Sequence, residues 1–380
     1  MSALARSRRL AHDAAEPSRR MWKRFFARRR YRRAIDQALA AMTARKPEAA
    51  REALGRAVAA ATVAFDGRGL DLATTLYALA ANQLEAGLLD EALISARESD
   101  RVLADTPEQD RAGSAPEETP SVARVRGLIA AILERRGVKG EEHETALLGW
   151  AEAARAEKDD EAAGAALNQL GLTLARRGDR AAAADLFLGA LEHRTKRFGA
   201  DGLPTLEALY NLATYRDEGR TLDVVATDLE RIASTLEGRS EPRAAELKES
   251  TLHNLAALRE EQGDYAAAEA LFERALKSRE VRLGPTHTAL RPTLVRLAQL
   301  HHREGRVIHA LGLYDRGLAI AKKELGDEHP IVVAIAAWRA EVTQGSGPGR
   351  SAIRAPSGAT AATLPSATPR RRTRRGSSPG

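Results

Sequence analysis

The sequence contains no cysteine, which excludes disulfide staples, thiolate metal ligands and a cysteine nucleophile. Aromatic residues make up only 4% of it, so its core cannot rest on large rings. Alanine and leucine must supply most of the packing, as they do where helices approach closely. No stretch comes near the roughly 18–20 consecutive apolar residues of a membrane-spanning helix. The basic residues near the start are not followed by the apolar run of a secretory signal. These absences make the cytoplasm the expected location. Alternation of apolar and polar residues, the mark of half-buried strands, is almost missing as well.

Several catalytic patterns are absent too. There is no G-x-x-x-x-G-K-S/T, no G-x-S-x-G and no H-E-x-x-H. Gly137 and Gly140 flank only two residues and lie between helical segments. The densest histidine group, His301, His302 and His309, has no carboxylate at ligand spacing. Asp159-Asp160 falls in a turn and is expected to cap the next helix. Neither enzyme activity, nor a cofactor, nor a metal, nor a small-molecule substrate is expected.

Charge is unevenly spread. Residues 1–33 hold 12 Lys/Arg against 2 Asp/Glu, and residues 344–380 hold 7 Arg and no acid, while the whole chain of 380 residues is only +7. An acidic body therefore carries two basic ends. Arginine outnumbers lysine 50 to 9, which follows from nucleic-acid binding or from a GC-rich genome. Residues 1–29 are expected to be a disordered basic leader, and the Gly-, Ser-, Pro- and Arg-rich residues 344–380 a disordered basic tail.

Between the ends, apolar residues recur at spacings of three and four, which predicts helices almost throughout. The segments also resemble one another. Leu252-His253-Asn254-Leu255-Ala256 precedes Gly263 and then Ala267-Ala268. Leu167-Asn168-Gln169-Leu170-Gly171 precedes Gly178 and Ala182-Ala183. Leu294-Val295-Arg296-Leu297-Ala298 precedes Gly305 and Ala310. Leu76-Tyr77-Ala78-Leu79-Ala80 precedes Gly87 and Ala92, and Tyr210-Asn211-Leu212-Ala213 precedes Gly219. Together with Gly137, these glycines lie 50, 41, 41, 44 and 42 residues apart.

A glycine ends the first helix of each unit because a helix C-terminus favours a left-handed residue without a Cβ. The small residue at Ala80, Gly171, Ala256 or Ala298 lets the second helix lie close. One hairpin cannot cover its own apolar face, so the copies come in series. An earlier, weaker unit is expected to turn near Lys46-Pro47. The Gly137 copy has Arg126 where its first leucine should be.

These residues resemble the tetratricopeptide repeat. The long period, with Leu325-Gly326-Asp327-Glu328-His329-Pro330 and its looser copies from Leu283 and Phe198, is similar to the subtype of kinesin light chains. The resemblance implies an all-α, right-handed superhelical solenoid of stacked antiparallel hairpins, about seven in number. Residues 30–103 would be N-terminal repeats, 104–121 an acidic, proline-bearing loop, and 122–343 further repeats ending in a cap helix.

It also implies a protein or peptide partner, held as an extended or helical segment in a concave groove lined by the first helix of each pair. Groove positions would include Tyr77, Leu84, Asn168, Gln169, Arg176, Tyr210, Asn211, Thr214, His253, Asn254, Arg296, Gln299, His302 and Arg303. Asparagine suits this work because its amide both donates to and accepts from a peptide backbone. Alternatively, the asparagines bond to neighbouring helices and hold the pitch. A second functional reading makes the chain an electrostatic adaptor, whose basic ends contact nucleic acid, an anionic membrane or an acidic partner. Trp22, Phe25 and Phe26 would then be an apolar wedge, or else dock on the first repeat.

Overall fold

The computed structural model describes residues 3–107, 120–215 and 219–344, with side chains from residue 21 onward. Most of the expected acidic loop and all but the first residue of the expected basic tail lie outside the described residues. Among the described residues there are fifteen α-helices, one short 3₁₀ turn at Thr288–Leu290 and no strand. The chain divides into two compact units, residues 1–215 and 216–380.

The first unit contains α1 (Ala3–Thr43), α2 (Pro47–Ala64), α3 (Leu70–Glu85), α4 (Leu89–Ala104), α5 (Val122–Arg136), α6 (Glu141–Ala156), α7 (Asp160–Arg177), α8 (Arg180–Phe198) and α9 (Leu203–Thr214). Each helix packs against its neighbours in sequence. α3 also touches α5, and α5 touches α7, so the first helices of successive hairpins lie side by side. The second unit contains α10 (Leu222–Thr235), α11 (Pro242–Glu261), α12 (Tyr265–Leu283), α13 (Arg291–Arg303), α14 (Val307–Leu325) and α15 (Pro330–Thr343), packed in the same sequential way.

The turns follow the expected chemistry. Gly87, Gly137, Gly178, Gly263 and Gly305 all have positive φ, and each stands just past the first helix of its hairpin. Gly219 lies beside residues 216–218, which are outside the described residues. Asp159 caps α7 by accepting from the Ala162 N–H at 2.9 Å, as expected, and Asp179 and Asp264 cap α8 and α12 in the same way. In the linker turns, His287 and His329 accept backbone N–H groups through Nδ1 at 3.2 Å. The histidine of the L-G-x-x-H-P turn is thus a cap.

The core is built as the composition requires. Small residues at Ala80, Ala256 and Ala298 are fully covered, and in three of the later hairpins a buried ring, Phe187, Phe272 or Tyr314, stands against the equivalent stretch. Burying each ring stabilises by about 2–3 kcal/mol. A Cβ at Gly171 would lie 2.7 Å from the Phe187 ring, which explains glycine there in place of alanine.

Two regions that departed from the repeat take shape. Residues 3–29, expected as a disordered leader, belong to the long helix α1, whose backbone stays helical through Pro17. From Ala27 onward the helix is held by Ala27, Ala34 and Ala38, which are buried in the contact with α2. Arg126, the residue that replaces the missing leucine, forms its own contacts. Its guanidinium bonds Asp100 at 3.1 Å and donates to the Gly149 carbonyl at 3.2 Å, tying α4 and α6 to α5.

Candidate functional site

The sequence-predicted groove residues sort by their place relative to the small residue of the first helix. Three positions before it stand Tyr77, Asn168, Tyr210 and His253; two before it stand Gln169, Asn211, Asn254 and Arg296. Asn168, Tyr210, Asn211 and His253 are only 7%, 3%, 9% and 5% exposed. These four face packed neighbours, and a ligand in a groove would not reach them. For Asn168, Tyr210 and His253 the reason is helical geometry: a residue three places from the small one shares its face of the helix, and the adjoining hairpin covers that face. Asn211, two places away, is buried by its contact with Asn168.

In the first unit, Asn211 Nδ2 donates to Asn168 Oδ1 at 2.8 Å, joining α9 to α7 in a buried amide pair. The alternative use of the asparagines, holding the spacing between helices, is the one seen at these two positions. Close by, Arg194 of α8 lies over Gly164, where a Cβ would come within 2.8 Å of its Cγ. Its guanidinium donates to the Pro204 carbonyl at 2.7 Å and lies 3.7 Å from Glu207.

The second unit answers with a charged network. Glu249, fully buried on α11, accepts from Ser278 at 2.8 Å and from Arg282 Nε at 3.1 Å, and lies 3.8 Å from Arg279 Nε. Arg279 donates to Thr293 Oγ1 at 2.8 Å. The same hydroxyl lies 3.0 Å from His253 Nδ1, so it can accept a hydrogen bond from the guanidinium and donate one to the ring. Burial, reinforced by the charges of Arg279 and Arg296, pushes the His253 pKa down to about 3. The ring is therefore neutral, edge-on to Phe272 with centroids 5.1 Å apart.

What stays accessible is a thinner set. On α7, Gln169 is half-buried and Arg176 exposed; on α13, Gln299 and His302 are half-buried and Arg303 exposed. Arg296 is tied back to Glu260 of α11 at 3.4 Å, and Arg303 lies over the Tyr265 ring, 4.2 Å from its centroid. Asn254, Thr214 and Leu84 are half-buried, and Arg135 donates to the Leu84 carbonyl at 2.8 Å. Tyr77 is half-buried with Arg124 over its ring at 6.0 Å. Gln299 and Arg303 share one stripe with Arg296 at spacings of three and four. Gln169 and Arg176, seven apart, form the corresponding stripe on α7.

Of the clustered histidines, His301 is buried 3.8 Å from Glu269, with its centroid 5.6 Å from that of His309. Its pKa is lowered by burial and then by Arg306. Among the described residues, no group of three His, Asp or Glu side chains is placed to hold a metal. No helix among them is long and apolar enough to cross a membrane.

Sequence reasoning missed the buried charges. Arg194 and Arg279 both stand seven residues after the buried phenylalanine of their helix, a periodicity that was there to read. Glu249 carried no such signal, because its register partner in the first unit is Gly164.

With this geometry in place, comparison with known proteins gives a consistent result. Tetratricopeptide-repeat family models match residues 164–202 and 247–323. The chain therefore carries tetratricopeptide repeats over these residues, and its period and histidine-capped linker turns are similar to those of the long-period, kinesin-light-chain-like kind. Such repeats form non-catalytic scaffolds for protein interaction. No curated protein matches the chain.

Among solved structures, the apo form of the quorum sensor NprR from B. thuringiensis is 12% identical. The match has a TM-score of 0.53 and covers 83% of this chain and 81% of that one. A tetratricopeptide repeat protein from Parabacteroides merdae is 16% identical, with a TM-score of 0.49 over 82% of this chain and 99% of that one. BtubC (BKLC) from P. vanneervenii is 18% identical, with a TM-score of 0.46 over 68% and 92%. The NprR match shows a shared helical-repeat fold.

Proposed function

We propose that the chain is a non-enzymatic cytoplasmic scaffold that holds a peptide or helical segment of another protein along the exposed stripes of its first helices. The carrying observation is the stripe on α13, where Gln299 and His302 are half-buried beside a pinned Arg296. An amide can serve a peptide N–H and a carbonyl together. Pinning the neighbouring arginine to Glu260 reduces the entropy lost on binding. Gln169 and Arg176 on α7 offer the same chemistry within the first unit. The buried asparagine, tyrosine and histidine positions take no part in this contact.

A photo-crosslinking residue placed at Gln169 or Gln299 tests the reading. Discrete adducts are expected from both sites, with none from Leu188 or Val281 on exposed faces of the second helices. Equal adducts from all four positions would overturn it, as would adducts that vanish when residues 345–380 are removed.

A further inference from the structure

We infer that the outer face of α1, with the cleft it forms against α2, is a docking surface for an anionic phospholipid membrane. It is separate from the stripes proposed above. Three rings stand in solvent: Trp22, Phe25 and Phe26 are 54%, 56% and 53% exposed. At 100° per residue, Trp22, Phe25, Phe26, Arg29 and Arg33 fall within an arc of about 100°. That arc is opposite Ala27, Ala34 and Ala38, the buried side of the helix. Trp22 and Phe25 thus aim away from the protein, Phe26 stands at the edge of the arc nearest the cleft, and arginines occupy the same face one and two turns on.

The cations are available. From residue 21 to its end, α1 carries Lys23, Arg24, Arg28, Arg29, Arg30, Arg32 and Arg33 against one acid, Asp36. Arg24 is engaged by Asp66, and Arg28 lies over the Phe65 ring at 5.7 Å. The other five have no carboxylate partner among the described residues. Phe26, Arg30, Arg33 and Gln37, spaced four, three and four, form a row that runs from the rings into an open cleft. The cleft has a volume of about 510 Å³, with Arg30, Arg33 and Arg56 on its walls and Ala59 and Val63 between them. Arg56 is steadied by Gln37 at 3.2 Å and by Glu52 at 3.8 Å. An apolar knob beside an arginine-walled cleft fits acyl chains beside lipid phosphates.

Single-stranded nucleic acid would also meet arginine and aromatics, but it needs free ring faces for base stacking. Here the rings cover one another. Trp22 and Phe26 stack with centroids 6.1 Å apart, and Phe25 stands edge-on to both, at 5.9 and 5.7 Å. They form a convex apolar knob rather than a row of platforms. A second copy of the chain would bring like charge against like.

The full chain should sediment with vesicles of phosphatidylcholine and phosphatidylserine, and not with phosphatidylcholine alone. Binding should weaken as salt is raised, and Trp22 emission should shift to the blue. The W22A/F25A/F26A variant should lose at least about tenfold in vesicle affinity. Its thermal midpoint should be unchanged, because the rings are exposed. The R30Q/R33Q/R56Q variant should lose about fivefold per charge removed. Three outcomes would overturn the inference: no binding to anionic vesicles, binding undiminished in the aromatic variant (which would trace it to the basic tail), or tighter binding to single-stranded RNA than to vesicles.

Discussion

The joint between α7 and α9 in the first unit and that between α11 and α13 in the second stand at the same place in the repeat, yet their chemistry differs. In the first, two neutral amides meet, Asn168 and Asn211, and the neighbouring Arg194 passes over a glycine to reach a backbone carbonyl. In the second, a neutral histidine, a threonine, an arginine and a fully buried glutamate form one network. The repeat specifies that something polar must link successive first helices; it leaves open what. Amides hold their link at any pH, whereas a network of titratable groups does not, so the second unit should be the acid-sensitive one.

The largest expected effect comes from breaking the charged joint. Glu249→Gln would leave Arg279 buried without its carboxylate and should destabilise the protein by about 3 kcal/mol, read as a shift in denaturant midpoint. Unchanged stability would mean that the network contributes nothing.

The next effect is pH. Folding keeps His253 neutral down to a pKa of about 3, while the unfolded chain takes up that proton below about pH 6.5. The unfolded state therefore binds more protons as pH falls, and stability declines below pH 6.5. By pH 5 the loss from His253 should be about 2 kcal/mol, and H253Q should flatten that slope. His301, also lowered, adds to the decline in the second unit, and His143, lowered by burial, adds to it in the first.

A smaller effect should follow from exchanging the small residues. Gly171→Ala sets a Cβ against the Phe187 ring, and its overpacking cost of about 1–3 kcal/mol is partly offset by about 1 kcal/mol of helix propensity. Ala256→Gly, at the same register in the second unit, should cost that propensity plus about 1 kcal/mol for the buried methyl it removes. Both are measurable by thermal unfolding. The smallest effect should come from the amides. Asn168→Ala leaves Asn211 unpaired and should cost about 1 kcal/mol or a little more. In a double-mutant cycle with Asn211→Ala, the second substitution should then cost less than it does alone.

The helices and their turns were legible in the sequence because they rest on local signals. The glycines at 87, 137, 178, 263 and 305 mark left-handed helix ends, and Asp159 marks a cap. The candidate site was only half legible. Repetition picked out Asn168, Asn211 and Asn254, of which the first two are buried, and repetition at a helix face signals packing as strongly as it signals binding. Asn168 and Asn211 stand one register position apart, and that diagonal offset, invisible without knowing how the helices lie, is what lets them bond. The part of α1 before Arg30 was not read as helix because arginines surround its aromatics, so no polar stripe announces the alanine face that Ala27 shares with Ala34 and Ala38. Glu249 was unreadable because a buried carboxylate has no local signature; its partners come from the next two helices.

The most direct test separates residues that hold helices together from residues that meet a partner. Thermal midpoint and partner capture would be measured together for Gln169→Ala, Gln299→Ala, Asn211→Ala and His253→Ala. The two glutamine variants should keep the wild-type midpoint and lose capture, while the other two should unfold at lower temperature and capture normally for as long as they remain folded. If the glutamine variants capture normally, and Asn211→Ala or His253→Ala abolishes capture without moving the midpoint, the assignment of joint and binding face is reversed.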